Sequence, residues 1–352
     1  MNSKQWGLRF LMIIGGCFSV IIGLTVWIDP LFHYHSPLEY LSYDLKDERY
    51  QNNGIAKHLK YDAVITGTSM TENFRTSQLD ELFGVQSVKM SFQGSTFYEL
   101  NNNLKVALEN NPNIKLVVRD LYGTSINQSA KALNANYTYP NYLYDNNIWN
   151  DVSYVLNKDI LINRTIETLL RTKKGQPNTN FDQYARWNDL AYFGKPEVLV
   201  TYKRPILSTK PVPFTENDRQ TIHENIEQNV LDLVRKYPNT QFYLFYSPFS
   251  MYNWDHYMRI NGVEKRIETF KEATRLLVEY PNVHLFSFLG AKEIVSHAER
   301  YKDMDHHDAK GNDQILEWMK EGKYQLTSEN YDTYFLELKE FVLNYNYDQL
   351  FE

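Results

Sequence analysis

Three short motifs carry the residue types of a serine nucleophile and of the groups that would activate it. Ser69 lies in GTSMTENF, directly after an apolar run, and Gly94 lies in SFQGST. Asp303 and His306 are spaced D-x-x-H towards the end of the chain. A carboxylate at this spacing can orient the imidazole, which can then take the proton of a serine hydroxyl. Gly94 would bring a backbone N–H close to a developing oxyanion.

Each motif also has a simpler interpretation, which the sequence alone leaves open. Ser69 and Glu72 form S-x-x-E, the capping box of a helix, and Gly94 could be an ordinary turn glycine. The D-x-x-H stretch could be a solvated acidic loop, in which His307 rivals His306 as the base. The side chains there that could hold a metal ion are Asp303, Asp305, His306, His307 and Asp308. A metal-dependent hydrolase is therefore a rival interpretation, although these residues lack a recognised ligand spacing. We expect no metal and no other cofactor.

Apolar runs and helical periodicity alternate around these motifs and predict an α/β fold. Strands are expected at 62–67, 85–92, 114–121, 240–249 and 283–288. Helices are expected at 71–83, 95–111, 218–239 and 263–282, with one or two more between 311 and 345. This alternation implies a parallel sheet with helices on its faces. Ser69 and Gly94 then fall at the carboxyl ends of two strands, where open parallel sheets bind ligands.

The N-terminal segment is predicted to cross a membrane. Residues 10–28 run for 19 residues without a charge, which nearly spans an apolar core of about 30 Å. Lys4 and Arg9 precede this run and Asp29 follows it. The positive-inside rule therefore puts residues 1–9 in the cytoplasm and the rest outside. A cleaved signal peptide is the alternative, but no small-x-small cleavage site follows the run.

Two further regions show no sheet pattern. Residues 29–60 indicate a polar connector from the membrane. Residues 128–212, rich in Asn, Tyr and Pro, indicate an insertion into a domain that spans 61–352, with its best helical stretch at 150–174.

Composition excludes some classes of function. The net charge of −6 argues against a general nucleic-acid binder. Cys17, the single cysteine, lies in the apolar run. The outer portion therefore contains no disulfide, and a core of this size does not need one.

The three motifs, in this order, resemble the SGNH (GDSL-type) hydrolase family. They are G-x-S after the first strand, a glycine after the second and D-x-x-H before a C-terminal helix. The resemblance implies a flavodoxin-like three-layer sandwich. It also implies that Ser69 is the nucleophile, His306 the general base and Asp303 its orienting acid. The backbone N–H groups of Ser69 and Gly94 would be the oxyanion donors.

The resemblance covers about 62–121 and 215–320, and it extends to a membrane-anchored subgroup from Gram-positive bacteria. That subgroup is similar to the extracytoplasmic partners of membrane-bound O-acyltransferases. It implies transfer of an acetyl or D-alanyl group to a cell-envelope polysaccharide or teichoic acid, or hydrolysis of such an ester. The alternative is a non-catalytic binding or assembly subunit of an envelope O-acylation system.

The sequence departs from the family after the third strand. The family has Gly-x-Asn-Asp there, with the Asn as a further oxyanion donor, whereas this chain has VVRDLYG. The candidate replacements are Gln93, Arg119 and Asn127. Tyr252 and Trp254, after the fourth strand, are candidate substrate-binding aromatics together with Arg119 and Asn127. Their alternative role is edge packing against the insertion.

Overall fold

The structure, a computed structural model, describes residues 3–145 and 147–352 and divides into two compact units. The first contains the chain up to Lys60 together with Tyr137–Asn180, and the second contains Tyr61–Asn136 and Phe181–Glu352. The domain boundaries expected from the sequence, with a connector at 29–60 and an insertion at 128–212, stay a prediction.

The first unit begins with a long apolar helix, α1 (Ser3–Ile28), followed by α2 (Glu48–His58). α1 is long and apolar enough to cross a membrane, a property that anchors and signal sequences share. The region expected to be helical at 150–174 is divided, with a π-helical turn at Leu161–Ile166. The unit's other short helices are Asn141–Tyr144, Val152–Val155, Lys158–Ile160 and Glu167–Lys173.

Asp29 organises the chain that follows α1. Its buried carboxylate accepts the backbone N–H groups of His33 and His35 at 2.9 Å and of Tyr34 at 2.7 Å. The hydroxyl of Tyr154 also donates to it, at 2.7 Å. These bonds compensate a carboxylate removed from water, so this part of the connector is folded.

The second unit is built on a six-stranded sheet of order β2-β1-β3-β4-β5-β6. The strands are β1 (Ala63–Gly67), β2 (Ser87–Ser91), β3 (Leu116–Asp120), β4 (Gln241–Tyr246), β5 (Val283–Ser287) and β6 (Gln325–Leu326). The first five are parallel, and β6 is antiparallel to β5. The order 2-1-3-4-5 is the flavodoxin-like one.

Helices cover both faces of this sheet, so the predicted three-layer α/β fold after one apolar N-terminal helix is confirmed. The longer helices are α3 (Thr76–Phe83), α4 (Phe97–Asn110), α5 (Glu216–Ile226), α6 (Met251–Arg259), α7 (Val263–Leu277), α8 (Ala309–Glu321) and α9 (Tyr331–Asn344). α3 packs against α8, whereas α7 packs against α5 and α9. α5 continues through a π-helical turn, Glu227–Leu231, into Asp232–Lys236.

The short helices of the second unit lie in its connections. They are Gly123–Ile126, Asn188–Leu190, Lys195–Thr201, Lys292–Val295, Ala298–Arg300 and Tyr347–Leu350. The strands β1, β2 and β3 are buried at every position, as expected where helices cover both faces of a parallel sheet. The connections that follow β1, β2 and β5 carry Ser69, Gly94 and the pair Asp303 and His306.

Candidate active site

Ser69, His306 and Asp303 form a continuous hydrogen-bonded chain. Ser69 Oγ lies 2.7 Å from His306 Nε2, and His306 Nδ1 lies 2.8 Å from Asp303 Oδ2 and 2.9 Å from Oδ1. With the ring proton on Nδ1 donated to Asp303, Nε2 is free to accept the serine proton. This is the geometry of a serine activated by an oriented histidine. The structure brings the three predicted residues together, and their catalytic roles remain a prediction.

Ser69 occupies a tight turn rather than the start of a helix. β1 ends at Gly67, and α3 begins only at Thr76. The capping-box interpretation of Ser69 and Glu72 is therefore overturned, since the helix starts several residues later. Gly67 is required here, because its φ is 151° and a Cβ would lie 2.6 Å from the side chain of Thr71. The chain reverses sharply and presents the Ser69 hydroxyl to His306.

Asp120, at the carboxyl end of β3, fixes this turn from beneath. Its Oδ2 accepts the Thr68 hydroxyl at 2.8 Å, and its Oδ1 accepts the Ser247 hydroxyl at 2.9 Å. Burial raises the pKa of Asp120 to about 6, although both hydroxyl bonds favour the ionised form. The carboxyl group thus joins the ends of β1, β3 and β4 directly behind Ser69.

A lysine inside the sheet also holds the Ser69 turn in place. Lys89, in β2, is fully buried, and its ammonium group donates to the carbonyl oxygens of Glu72 at 2.5 Å and Phe74 at 3.0 Å. The next link is the hydroxyl pair of Thr71 and Ser91, 2.7 Å apart. β2 therefore holds the far side of the Ser69 turn.

The loop that carries His306 is folded around Asp303. Asp303 Oδ1 accepts the backbone N–H groups of Asp305 at 2.9 Å and of His306 at 2.8 Å. Burial alone would raise the pKa of Asp303, but the hydrogen bonds from the His306 ring and from these backbone groups outweigh it and lower the pKa. Asp303 is therefore a carboxylate at neutral pH, the form that orients an imidazole and stabilises its charge.

Asp305 anchors the same loop to the rest of the unit. Its carboxylate accepts the Tyr122 hydroxyl at 2.9 Å and the Asn253 amide at 2.6 Å. Burial raises the pKa of Asp305 above its usual value. The loop is thus tied to the segments that follow β3 and β4.

The structure also separates the two neighbouring histidines. His307 is buried, its Nδ1 lies 2.9 Å from the Asp308 carbonyl oxygen, and burial lowers its pKa to about 4. A Cβ at Gly311 would lie 2.5 Å from the same nitrogen, so the ring packs against a glycine of α8. His307 is a neutral core residue, and His306 is the histidine that meets Ser69.

Trp187 is a site residue that sequence reasoning missed. Its indole N–H donates to the backbone carbonyl of Ser69 at 3.2 Å, and its ring stands perpendicular to that of His306 with the centroids 5.6 Å apart. Lys302 Nζ lies 3.7 Å from the centroid of the indole. Asn73 Oδ1 accepts the Trp187 backbone N–H at 3.2 Å. A lone tryptophan in an irregular segment gave no sequence signal for these tertiary contacts.

Gly94 lies in a tight turn at the same edge of the sheet as Ser69. The register pairs Gly67 with Ser91, so the segments that follow β1 and β2 leave the sheet side by side. Gly94 has φ 62°, and the N–H of Ser95 bonds to the Phe92 carbonyl at 3.1 Å across the turn. The side-chain amide of Asn134 donates to the Gly94 carbonyl. The oxyanion role of its N–H stays a prediction.

A cavity of about 400 Å³ borders Gly94. Its lining is neutral and largely polar, and it includes Tyr122, the residue that donates to Asp305. Two buried polar atoms of the lining, Ser95 Oγ and Gln128 Oε1, have no hydrogen-bond partner. Such atoms favour a ligand that carries hydroxyl or amide groups.

Three of the four candidate substrate-binding residues bond elsewhere in the fold, and the fourth, Trp254, is buried without a hydrogen bond from its indole N–H. Arg119 is buried and donates to the Asn229 carbonyl at 2.8 Å, and the Asn127 amide donates to Asp218 at 2.7 Å. Tyr252 and Trp254, on α6, are also buried, and the Tyr252 hydroxyl donates to the carbonyl oxygen of Leu350 at 2.8 Å. The structure therefore does not join these four side chains to Ser69 or His306. Sequence reasoning could not tell which face of a strand or helix Arg119, Tyr252 and Trp254 occupy.

The metal interpretation of the 303–308 loop finds no matching geometry. Within residues 3–145 and 147–352, no group of three or more His, Cys, Asp or Glu side chains is arranged to hold a metal ion. In the loop itself, Asp303 bonds to His306, and Asp305 bonds to Tyr122 and Asn253.

Comparison with known proteins gives little further guidance. No protein-family model matches the chain, and no curated protein matches it. Among solved structures, the chain is similar to one from Streptococcus pneumonia that is provisionally described as a platelet activating factor. The identity is 13% and the TM-score 0.40, with 78% of this chain and 90% of that chain covered.

Proposed function

We propose that this protein is a membrane-anchored, extracytoplasmic serine enzyme of the SGNH type that transfers or hydrolyses an ester-linked acyl group. The observation that carries the proposal is the chain from Ser69 Oγ through His306 to Asp303, with contacts of 2.7 and 2.8 Å. Turn residues and buried carboxylates hold both ends of this chain, so the alignment is preorganised. Preorganised alignment is what nucleophilic catalysis by a serine requires.

The proposed reaction has two steps. Ser69 Oγ attacks the ester carbonyl carbon while its proton passes to His306 Nε2, and Asp303 stabilises the resulting imidazolium. The N–H groups of Ser69 and Gly94 stabilise the oxyanion. Collapse breaks the bond to the leaving alcohol, which takes the proton from His306, and leaves an acyl-Ser69 ester. An incoming hydroxyl then gives its proton to His306 and attacks the acyl carbon, and the bond to Ser69 Oγ breaks as Ser69 takes that proton from His306.

The incoming hydroxyl decides between two activities. Water gives an esterase, and a hydroxyl of a cell-envelope polysaccharide or teichoic acid gives an O-acyltransferase for acetyl or D-alanyl groups. Two features favour transfer. α1 would hold the enzyme beside a membrane-bound O-acyltransferase, and the neutral polar cavity next to Gly94 suits a hydroxyl-bearing acceptor.

The test is hydrolysis of p-nitrophenyl acetate by the full chain in detergent. We expect activity in the wild type and a loss of about ten-thousandfold or more in Ser69→Ala and in His306→Ala, because these residues act as one unit. Ser328→Ala and His297→Ala, at exposed positions, are the matched controls and should keep wild-type activity. Equal activity in the wild type and Ser69→Ala would refute the serine mechanism.

A non-catalytic binding or assembly subunit is the second candidate. One observation favours it, namely that Arg119 and Asn127, two of the three replacements for the family's oxyanion Asn, bond to Asn229 and Asp218 instead. A fluorophosphonate probe separates the candidates, since it labels an activated serine without any acceptor. Labelling that is lost in Ser69→Ala supports the enzyme, and an unlabelled wild type supports the subunit.

A further inference from the structure

Arg266, on α7, carries a buried positive charge without an anionic partner. Its side chain is 6% exposed, and its Nε is buried without a hydrogen-bond partner. No carboxylate among the described residues forms an ion pair with it. An arginine side chain keeps its proton in proteins, and an uncompensated buried charge is costly.

The groups packed around the guanidinium hold it without satisfying its N–H donors. The guanidinium carbon lies 5.1 Å from the ring centroid of Phe249 and 4.7 Å from those of Tyr257 and Phe270. These ring faces attract a cation, but they offer no oxygen to accept hydrogen bonds. Gly123 packs on the group so closely that a Cβ there would lie 2.6 Å from its Nη2.

A cavity of about 240 Å³ adjoins this guanidinium, and neither Ser69 nor His306 lines it. Lys265 also lines the cavity, but its ammonium group pairs with Asp218 at 2.7 Å. Burial raises the pKa of Asp305, and the charge of Arg266 only partly opposes that rise; Asp305 itself bonds to Tyr122 and Asn253 rather than to Arg266. Arg266 is therefore the unbalanced charge at this cavity.

We propose that the cavity binds a small oxyanion, a phosphate or a carboxylate group, on the guanidinium of Arg266. The planar fork of an arginine matches two oxygens of either group, and the bonds formed are charge-assisted. Thr124, which also lines the cavity, supplies a hydroxyl for a further oxygen, whereas the Thr269 hydroxyl donates to the Lys265 carbonyl at 2.8 Å. The site is separate from the proposed serine chemistry, so it binds its anion whether or not Ser69 is a nucleophile.

The test is thermal unfolding of the full chain in detergent at pH 7, with added sodium phosphate or sodium acetate against sodium chloride at equal ionic strength. A ligand that binds only the folded state raises the midpoint in a saturable way. We expect this rise for at least one of the two oxyanions, and the better one identifies the phosphate or carboxylate preference. Ser69→Ala should behave as the wild type, which separates this proposal from the catalytic one.

Two arginine variants and one lysine variant complete the test. Arg266→Gln should weaken binding about tenfold or more. The reason is that the free energy of a hydrogen bond to a charged group is larger than the free energy of a tenfold change in affinity. Arg235→Gln, at a half-exposed arginine paired with Asp232, is the matched control and should bind as the wild type. Lys265→Gln keeps the aromatic surroundings of Arg266 and should weaken binding less, which preserves the test if Arg266→Gln fails to fold. Absence of a saturable rise in the wild type, or an equal rise in Arg266→Gln, would overturn the proposal.

Discussion

The two segments that carry Ser69 and His306 are held in place in different ways. The Ser69 turn, residues 68–74, is fixed by side chains of other strands, with Asp120 beneath it and Lys89 beside it. The loop 303–307 is folded on its own Asp303, which accepts two backbone N–H groups of the loop. The position of Ser69 therefore depends on side chains of other strands, whereas His306 is held mainly by Asp303, in a loop that Asp305 ties to Tyr122 and Asn253. Substitutions in the turn should affect stability and activity together, whereas substitution of Asp303 should affect activity alone.

The largest separation of activity from stability should come from Asp303→Asn. The amide oxygen can still accept the two backbone N–H groups, so the free energy of unfolding should change by less than about 1 kcal/mol. The carboxylate that orients and stabilises the imidazole is lost, so kcat for p-nitrophenyl acetate should fall about ten-thousandfold. Asp232→Asn, at a mostly exposed position, serves as the control in both assays. A variant that kept a tenth of the activity would show that the loop does not work through Asp303.

Gly67→Ala should lower stability and activity together, in contrast to Asp303→Asn. A Cβ at this position would lie 2.6 Å from Thr71 and 2.8 Å from Asp120, at a φ of 151°. Backbone strain and overpacking together should cost about 4 kcal/mol, and activity should fall with stability.

The control for that substitution is Gly84→Ala. Gly84 also has a positive φ, 67°, but nothing lies within 4 Å of its Cβ position. It should lose only about 1 kcal/mol and keep its activity. Equal losses in the two variants, measured by denaturant unfolding, would mean that the contacts behind Ser69 are unimportant.

The buried carboxyl of Asp120 should make the stability of the turn depend on pH. Its pKa is about 6 in the folded protein, above the usual 3.8, so the folded state holds this proton more tightly than the unfolded state. The contribution is fully present below about pH 4 and is lost as the pH rises through 6. The total change is about 3 kcal/mol. Asp120→Asn lacks this titration, so its stability relative to the wild type should rise between pH 4 and 7. An unchanged difference across that range would contradict the pKa shift.

Trp187→Phe should have the smallest effect on activity. Trp187 contacts both Ser69 and His306 but belongs to neither of the two segments. The substitution keeps a ring beside His306 but removes the N–H that donates to the Ser69 carbonyl at 3.2 Å. Loss of one such bond is worth about 1 kcal/mol, which predicts a several-fold lower kcat/KM. Trp149→Phe, at an exposed tryptophan, is the matched control. A wild-type kcat/KM in Trp187→Phe would show that the indole N–H does not position Ser69.

Sequence reasoning succeeded where the signal was local. The buried strands are apolar runs, and each predicted strand lies within three residues of the observed bounds at either end. The D-x-x-H spacing places Asp303 and His306 in local contact, so their pairing could be predicted from the sequence. The choice between His306 and His307 could not be predicted, because it depends on which ring faces Ser69 in the folded structure.

The failures share a physical cause. β6 has two residues and no apolar run, so periodicity could not reveal it. Trp187 reaches Ser69 only through tertiary structure. Arg119 was a candidate oxyanion donor and substrate-binding residue, yet its side chain lies in the core and bonds to Asn229. A strand buried on both faces gives no alternation from which the direction of a side chain could be inferred.

Ser69 and His306 are 237 residues apart along the chain, so they are synthesised at different times. At the usual rates of translation the histidine emerges about 10 to 50 s after the serine. Until then the nascent chain contains Ser69 without His306. The contact between their side chains cannot form before β5 has joined the sheet and the 303–307 loop has folded. Under the proposed mechanism Ser69 is therefore not activated until most of the chain has been synthesised, and reactivity is one of the last properties the protein acquires.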